Sequence, residues 1–185
     1  MYKNIKLRGL IVGTALALAS VTANATLVVR IADDGTYGNE IFQQISPTST
    51  NYILGTDYDA FTNNYTIGDV TGLIGLVDNV GCNAGDFGGS LSGKIALIER
   101  GNCFFSDKVN FAAAVGAIGA IIYDNIVQPV VPKSHQDPTS IPSIFTTRAI
   151  GLELRSQVPE PTTLALMGLG LAGIGYRRHR SKKVA

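Results

Sequence analysis

The chain has 185 residues, 45% of them hydrophobic and 16% charged, with 21 Gly, 2 Cys and a formal net charge of +1. That length suits one globular domain and excludes a large multidomain enzyme. The charge is uneven: residues 1–25 carry +3, residues 159–185 carry +4, and residues 26–158 hold 7 basic against 13 acidic side chains, so the acidic body is a poor match for nucleic acid, which needs clustered Lys and Arg.

The first element is a targeting segment. Lys3, Lys6 and Arg8 precede an apolar run from Leu10 to Ala19 and the small-residue box Ala23-Asn24-Ala25. This order predicts a secretory signal peptide over residues 1–25, cut by signal peptidase between Ala25 and Thr26, because the run is shorter than the ~20 residues a bilayer-spanning helix needs.

The body, residues 26–157, is long enough for one hydrophobic core. Thr26 to Ala32 predicts an opening strand rich in β-branched residues, with Asp33-Asp34-Gly35 as its turn. From Thr36 to Asn79 the sequence reads as short strands and loops, with apolar pieces at Tyr52–Leu54 and Leu73–Val77. Lys94 to Glu99 is apolar on both alternations, as expected for a strand covered on both sides. A turn at Arg100-Gly101-Asn102-Cys103 follows. Ser106 then reads as an N-cap with Asp107 in the first turn, and Val109, Ala112, Ala113 and Gly116 share one face of a helix. Gly116 and Gly119 end that helix, and Ala120 to Tyr123 is a second buried strand. Strand, helix and strand in succession predict a crossover that leaves the two strands parallel. A polar, Pro-bearing loop from Asn125 to Pro142 leads to a short strand at Ile144–Thr146 and a final helix over Thr147–Gln157, interrupted at Gly151.

The run Leu91-Ser92-Gly93-Lys94-Ile95-Ala96-Leu97-Ile98-Glu99-Arg100-Gly101-Asn102-Cys103, then Phe104 to Val109, Ala112 to Ala120, Ile121 to Asn125 and Ile141 to Ile144, resembles the protease-associated (PA) domain. The resemblance covers residues 68–155. It implies an α+β fold, a compact β-sheet or sandwich core with a few flanking helices. In the family this domain accompanies peptidases or sorting receptors and binds ligands, restricts substrate access or mediates protein contacts. It implies a non-catalytic module whose exposed loops, 81–92 and 125–142, can hold a peptide or protein.

With two Cys in an exported chain, Cys82 and Cys103 are expected to pair, and related domains carry Cys at both positions. The chain-entropy model gives such a bridge about 3 kcal/mol.

Catalytic residues are scarce. Gly88-Gly89-Ser90-Leu91-Ser92-Gly93 misses the spacing of a nucleophile elbow and reads as a tight turn. The body's one His, His135, lies in a Pro-rich loop and reads as a solvated surface residue. Asp57, Asp59 and Asn63 collect oxygen ligands, but Phe61 and Thr62 stand where a calcium loop wants a ligand and Gly. No catalytic residue, metal or cofactor is expected.

At the far end Val158-Pro159-Glu160-Pro161 is followed by the apolar stretch Thr162 to Tyr176 and an Arg- and Lys-rich stop. The stretch predicts a single short transmembrane helix, with the cationic tail on the cytoplasmic face. These three parts resemble the PEP-CTERM sorting signal of Gram-negative bacteria. The resemblance implies that Pro159, Glu160 and Pro161 are the motif read by exosortase, a membrane transpeptidase-like enzyme. Prolines on both sides suit that role, since they keep the peptide extended.

The expected organisation is thus a signal peptide (1–25), a PA domain (26–157) and a sorting signal (158–185). The expected function is an exported interaction module with an unknown protein or peptide ligand, held first in the inner membrane and then placed at the cell surface or outside. A small secreted hydrolase using His135, or an accessory subunit of a separate protease, is the alternative.

Overall fold

A computed structural model of the chain describes residues 26–158 apart from Gly89. Ala25, the expected signal peptide, the motif Pro159-Glu160-Pro161 and the expected transmembrane helix lie outside the described residues. Among the described residues no helix is long and apolar enough to cross a membrane.

The antiparallel wing is built from alternating sequence. In β1 (Val28–Asp33) Val29 and Ile31 are buried while Arg30 between them faces outward, and in β2 (Ile41–Ser46) Phe42 and Gln44 are buried. One face of this wing therefore packs on the core and the other meets solvent. The two-residue β3 (Thr50–Asn51) pairs with β2, and β1 pairs with β5 (Gly68–Leu76). The apolar piece Tyr52–Leu54 is the exit from β3, where only Leu54 makes a bridge, to Tyr58. The apolar piece Leu73–Val77 supplies the second half of the nine-residue β5, which ends at Leu76. Gly68 and Gly72 mask its first half in the sequence, and they are needed there: a Cβ on Gly72 would meet Ile118 at 3.0 Å, and one on Gly68 would run into Pro142.

The other half of the sheet is mostly parallel. β5 continues beside β6 (Ile95–Glu99), which runs parallel to β7 (Gly119–Tyr123), which runs parallel to β8 (Ser143–Thr146). All five residues of β7 and all four of β8 are buried. The expected parallel crossover is present, through α1 (Phe105–Ala114). β4 (Tyr58–Ala60) closes the far edge, antiparallel to β8.

The result is one mixed sheet of eight strands in the order β3-β2-β1-β5-β6-β7-β8-β4, curled into a half-barrel, rather than a sandwich of two sheets. The curl follows from side-chain packing. Phe42 of β2 and Tyr58 of β4 stand far apart in strand order, yet their rings meet edge to face at 5.6 Å, and the Tyr58 hydroxyl donates to the Glu40 carbonyl. The concave side holds Val29, Ile31, Phe42, Tyr58, Leu97, Ile121 and Tyr123, closed by Ile150 and Leu154 of α2 (Arg148–Gln157). The other side holds Ala96, Ile98, Ala120, Ile122 and Phe145 under Val109 and Ala112 of α1.

Two helix boundaries differ from the sequence reading. Phe104, not Ser106, is the N-cap of α1, and Ser106 is wholly buried in the first turn. In α2 the helix runs through Gly151 without a break, because Gly151 sits against the Tyr123 ring and a Cβ there would overlap it. Thr147 caps α2, its hydroxyl accepting from the Ile150 N–H at 3.3 Å. Gly116 does end α1, with φ +87.

The two ends of the body meet. The Leu27 carbonyl accepts from Ile74 N–H, and the Gln157 amide donates to the Gln44 side chain at 3.3 Å, on a residue paired with Val29.

Candidate functional site

α1 and α2 pack on opposite faces of the sheet, which leaves the carboxyl ends of β6 and β7 open between them. Crevices outside the carboxyl ends of parallel strands are the usual ligand positions in open sheets. Here an open cleft of about 500 Å³ is lined by Arg100, Gly101, Asn102, Cys103, Phe105, Asn125 and Ile126.

Charged hydrogen bonds fix its walls. Arg100 pairs with Asp124 at 3.0 Å, and Asp124 also accepts from Gln128 at 2.5 Å and from the Ile126 N–H at 3.3 Å. Burial alone would raise the Asp124 carboxyl. The bonds from Gln128, Arg100 and Ile126 outweigh it and hold the group below the usual carboxylate range. Behind the lining residue Asn125, Arg148 donates to its carbonyl at 2.9 Å and reaches Glu99 at 3.5 Å, while the Tyr123 hydroxyl donates to Glu99 at 3.2 Å.

On this ordered frame apolar side chains face water. Ile126 of the cleft lining is 50% exposed, the next residue Val127 is 93% exposed, and Phe104, between the lining residues Cys103 and Phe105, is 57% exposed. Apolar residues clustered on a fixed polar frame mark a contact surface. The sequence names loop 125–142 as a binding loop, whereas Arg100–Cys103 reads there only as a turn. The signal was present in Ile126-Val127 and Val130-Val131, apolar pairs in an otherwise polar loop.

The 81–92 segment is built around Asp86, whose carboxylate accepts from Asn79 at 2.8 Å and from the N–H groups of Cys82 and Asn83 at 3.0 Å. Cys82 and Cys103 form a disulfide with their Cα atoms 5.7 Å apart, tying this segment to the turn after β6.

His135 is not the solvated residue expected from its loop. It is 2% exposed, stacked on Phe61 with centroids 3.8 Å apart, and its Nε2 lies 2.9 Å from Ser143 Oγ. Burial pushes its imidazole down to about 4. Ser143 is buried too, and Nδ1, where a triad needs an acid, has no hydrogen-bond partner. Two of the oxygen-bearing side chains weighed for calcium, Asp57 and Asp59, serve separate bonds. Asp57 accepts from the Ile53 N–H, Asp59 from the Ala60 N–H, and among the described residues no three potential ligands gather.

Comparison with known proteins identifies the unit that bears the cleft. Residues 66–154 match the PA domain model, and residues 157–180 match the PEP-CTERM protein-sorting motif. The chain carries a PA domain followed by a PEP-CTERM motif. That motif marks exported proteins of Gram-negative bacteria that are sorted to the cell surface and processed by exosortase.

Among curated proteins, the chain is 42% identical over 73 residues to a probable leucine aminopeptidase 2 of Aspergillus fumigatus, covering 39% of this chain and 15% of the relative. It is 33% identical over 118 residues to the probable lipoprotein aminopeptidase LpqL of Mycobacterium tuberculosis, covering 62% and 22%. Among solved structures, an aminopeptidase from Aneurinibacillus sp. strain AM-1 superposes with a TM-score of 0.51 at 28% identity, over 70% of this chain and 26% of that one. A zinc aminopeptidase from Bacillus subtilis shares the fold, with the same TM-score. The chain therefore spans about a quarter or less of these first three relatives, and the shared part is the PA region.

Proposed function

We propose that this chain is a non-catalytic interaction module. In this reading residues 1–25 are removed on export, the body 26–157 folds outside the cytoplasm, and the 158–185 tail spans the inner membrane once until exosortase acts at Pro159-Glu160-Pro161. The product is then displayed on the surface or released into the matrix. The observation that carries the reading is the open cleft at the ends of β6 and β7, with Phe104, Ile126 and Val127 presented to solvent. The buried His135–Ser143 pair, with no acid on Nδ1, supports a non-catalytic role over a hydrolase.

A second reading, an accessory subunit of a separate peptidase, is favoured by the aminopeptidase names of the relatives. Affinity capture from the host's secreted fraction tests both. The wild type is expected to retain a defined protein or peptide that Val127→Glu and Ile126→Glu lose while the melting temperature stays unchanged. Capture of a peptidase selects the second reading, and equal capture by the variants refutes the cleft. Mass spectrometry of the mature protein tests the processing: wild type is expected to lack the tail and Glu160→Ala to keep it, and a wild type that keeps its tail refutes exosortase cleavage.

A further inference from the structure

The two sulfurs of the disulfide occupy different surroundings. Cys103 lines the open cleft beside Arg100, whose side chain is 35% exposed. Cys82 is absent from the cleft wall and lies toward α1, where Lys108 Nζ stands 3.5 Å from its sulfur. Lys108 is 0% exposed, and its ammonium also donates to the Val80 carbonyl. The acids around this ammonium are Asp86 of the 81–92 segment, Glu99 of β6 and Asp107 of α1 itself. Asp86 spends its acceptor capacity on Asn79 and the Cys82 and Asn83 N–H groups.

Thiol–disulfide exchange depends on which sulfur can be reached and which can leave as thiolate. A neighbouring ammonium stabilises a thiolate. Both cysteines are half-buried, but the cleft gives a thiol its approach to Cys103, and Lys108 favours departure of Cys82. Arg100, though paired with Asp124, keeps further guanidinium N–H groups at the half-exposed cleft wall that can meet a carboxylate of the thiol.

We propose that Cys103 is an S-thiolation site, opened by a small anionic thiol of the glutathione type that enters the cleft. The thiol first loses its proton to solvent. Its thiolate sulfur attacks Cys103 Sγ, a new S–S bond forms to Cys103, the Cys82–Cys103 bond breaks, and its electron pair leaves on Cys82 as a thiolate beside the Lys108 ammonium. One disulfide is exchanged for another, so no outside oxidant or reductant is required. The exchange unties the 81–92 segment from the cleft wall, and the module's contact surface becomes sensitive to thiols.

The test exposes the oxidised, exported full-length protein briefly to glutathione at neutral pH, quenches with acid, alkylates the freed thiol and locates both groups by peptide mass spectrometry. Early adducts are expected on Cys103 in about tenfold excess over Cys82, with the alkyl group on Cys82. Lys108→Met is expected to slow the exchange about fivefold or more, while Lys108→Arg, which keeps the charge, holds the rate and the preference. Adducts on Cys82, an even split or no adduct in the wild type overturn the proposal. So does an unchanged rate in a folded Lys108→Met protein, and if that variant does not fold, the wild-type adduct position and the Lys108→Arg rate decide.

Discussion

Acid should weaken this domain through His135. The imidazole is buried against Phe61, with its pKa near 4 in the folded protein against an ordinary value of 6.5. Between those values the unfolded chain binds a proton that the folded chain refuses, so stability is lost as pH falls through that window and the loss levels off below about 4. Each pKa unit of difference is worth about 1.4 kcal/mol, which sets the full loss at about 3 kcal/mol and the part between pH 7 and pH 4.5 at about 2 kcal/mol. The groups held low by hydrogen bonds, Asp34, Asp69, Asp86 and Asp124, act mainly below that range, since their ordinary value is 3.8. Burial raises the Asp59 carboxyl, so Asp59 works in the opposite sense. Urea denaturation of residues 26–158, followed by circular dichroism at a series of pH values, measures the effect. His135→Phe keeps an aromatic ring on Phe61 but has nothing to protonate, and its stability should be nearly flat from pH 7 to 4.5. A wild-type loss below about 0.5 kcal/mol, or an equal loss in His135→Phe, would refute the reasoning.

The remaining expectations concern packing, the bridge and a buried charge. Gly151→Ala should destabilise by about 1–3 kcal/mol although alanine favours helices, because its methyl has no room beside Tyr123; a neutral or higher melting temperature would show that the Tyr123 ring can move aside. Reducing the disulfide should lower stability by about 3 kcal/mol, read as a drop in the urea midpoint with and without reductant. Lys108 is pushed by burial down to about 8, so the folded protein releases this proton before the unfolded chain does. Stability should therefore rise with pH from about 8 towards 10.5, by up to about 3 kcal/mol, and Lys108→Met should abolish that rise in thermal melts.

Where one segment carries its own instructions, the sequence was readable. Ile95 to Ile98 and Ala120 to Tyr123 are apolar on both faces, and the small residues between them suit a helix lying close on a sheet, so the parallel crossover could be placed. The first half of β5 could not, since its glycines are dictated by Ile118 and Pro142, side chains distant in the chain. The same holds for the half-barrel, which depends on Phe42 meeting Tyr58 rather than on any local period. At the site, the cysteine pair followed from counting. His135 was misplaced because a loop's polarity says nothing of Phe61 waiting to stack on it, and the cleft was missed because it exists only where the ends of β6 and β7 lie side by side.

The contact between Gln157 and Gln44 bears on how this unit travels among proteins. Because its entry and exit lie at one place, a longer polypeptide can take the whole body in as a guest at a surface turn, with little displacement of the host's own backbone on either side of the splice. The part of this unit that aligns covers 15% of one relative and 26% of another, and here the unit stands ahead of a sorting motif, a placement that neighbouring ends allow.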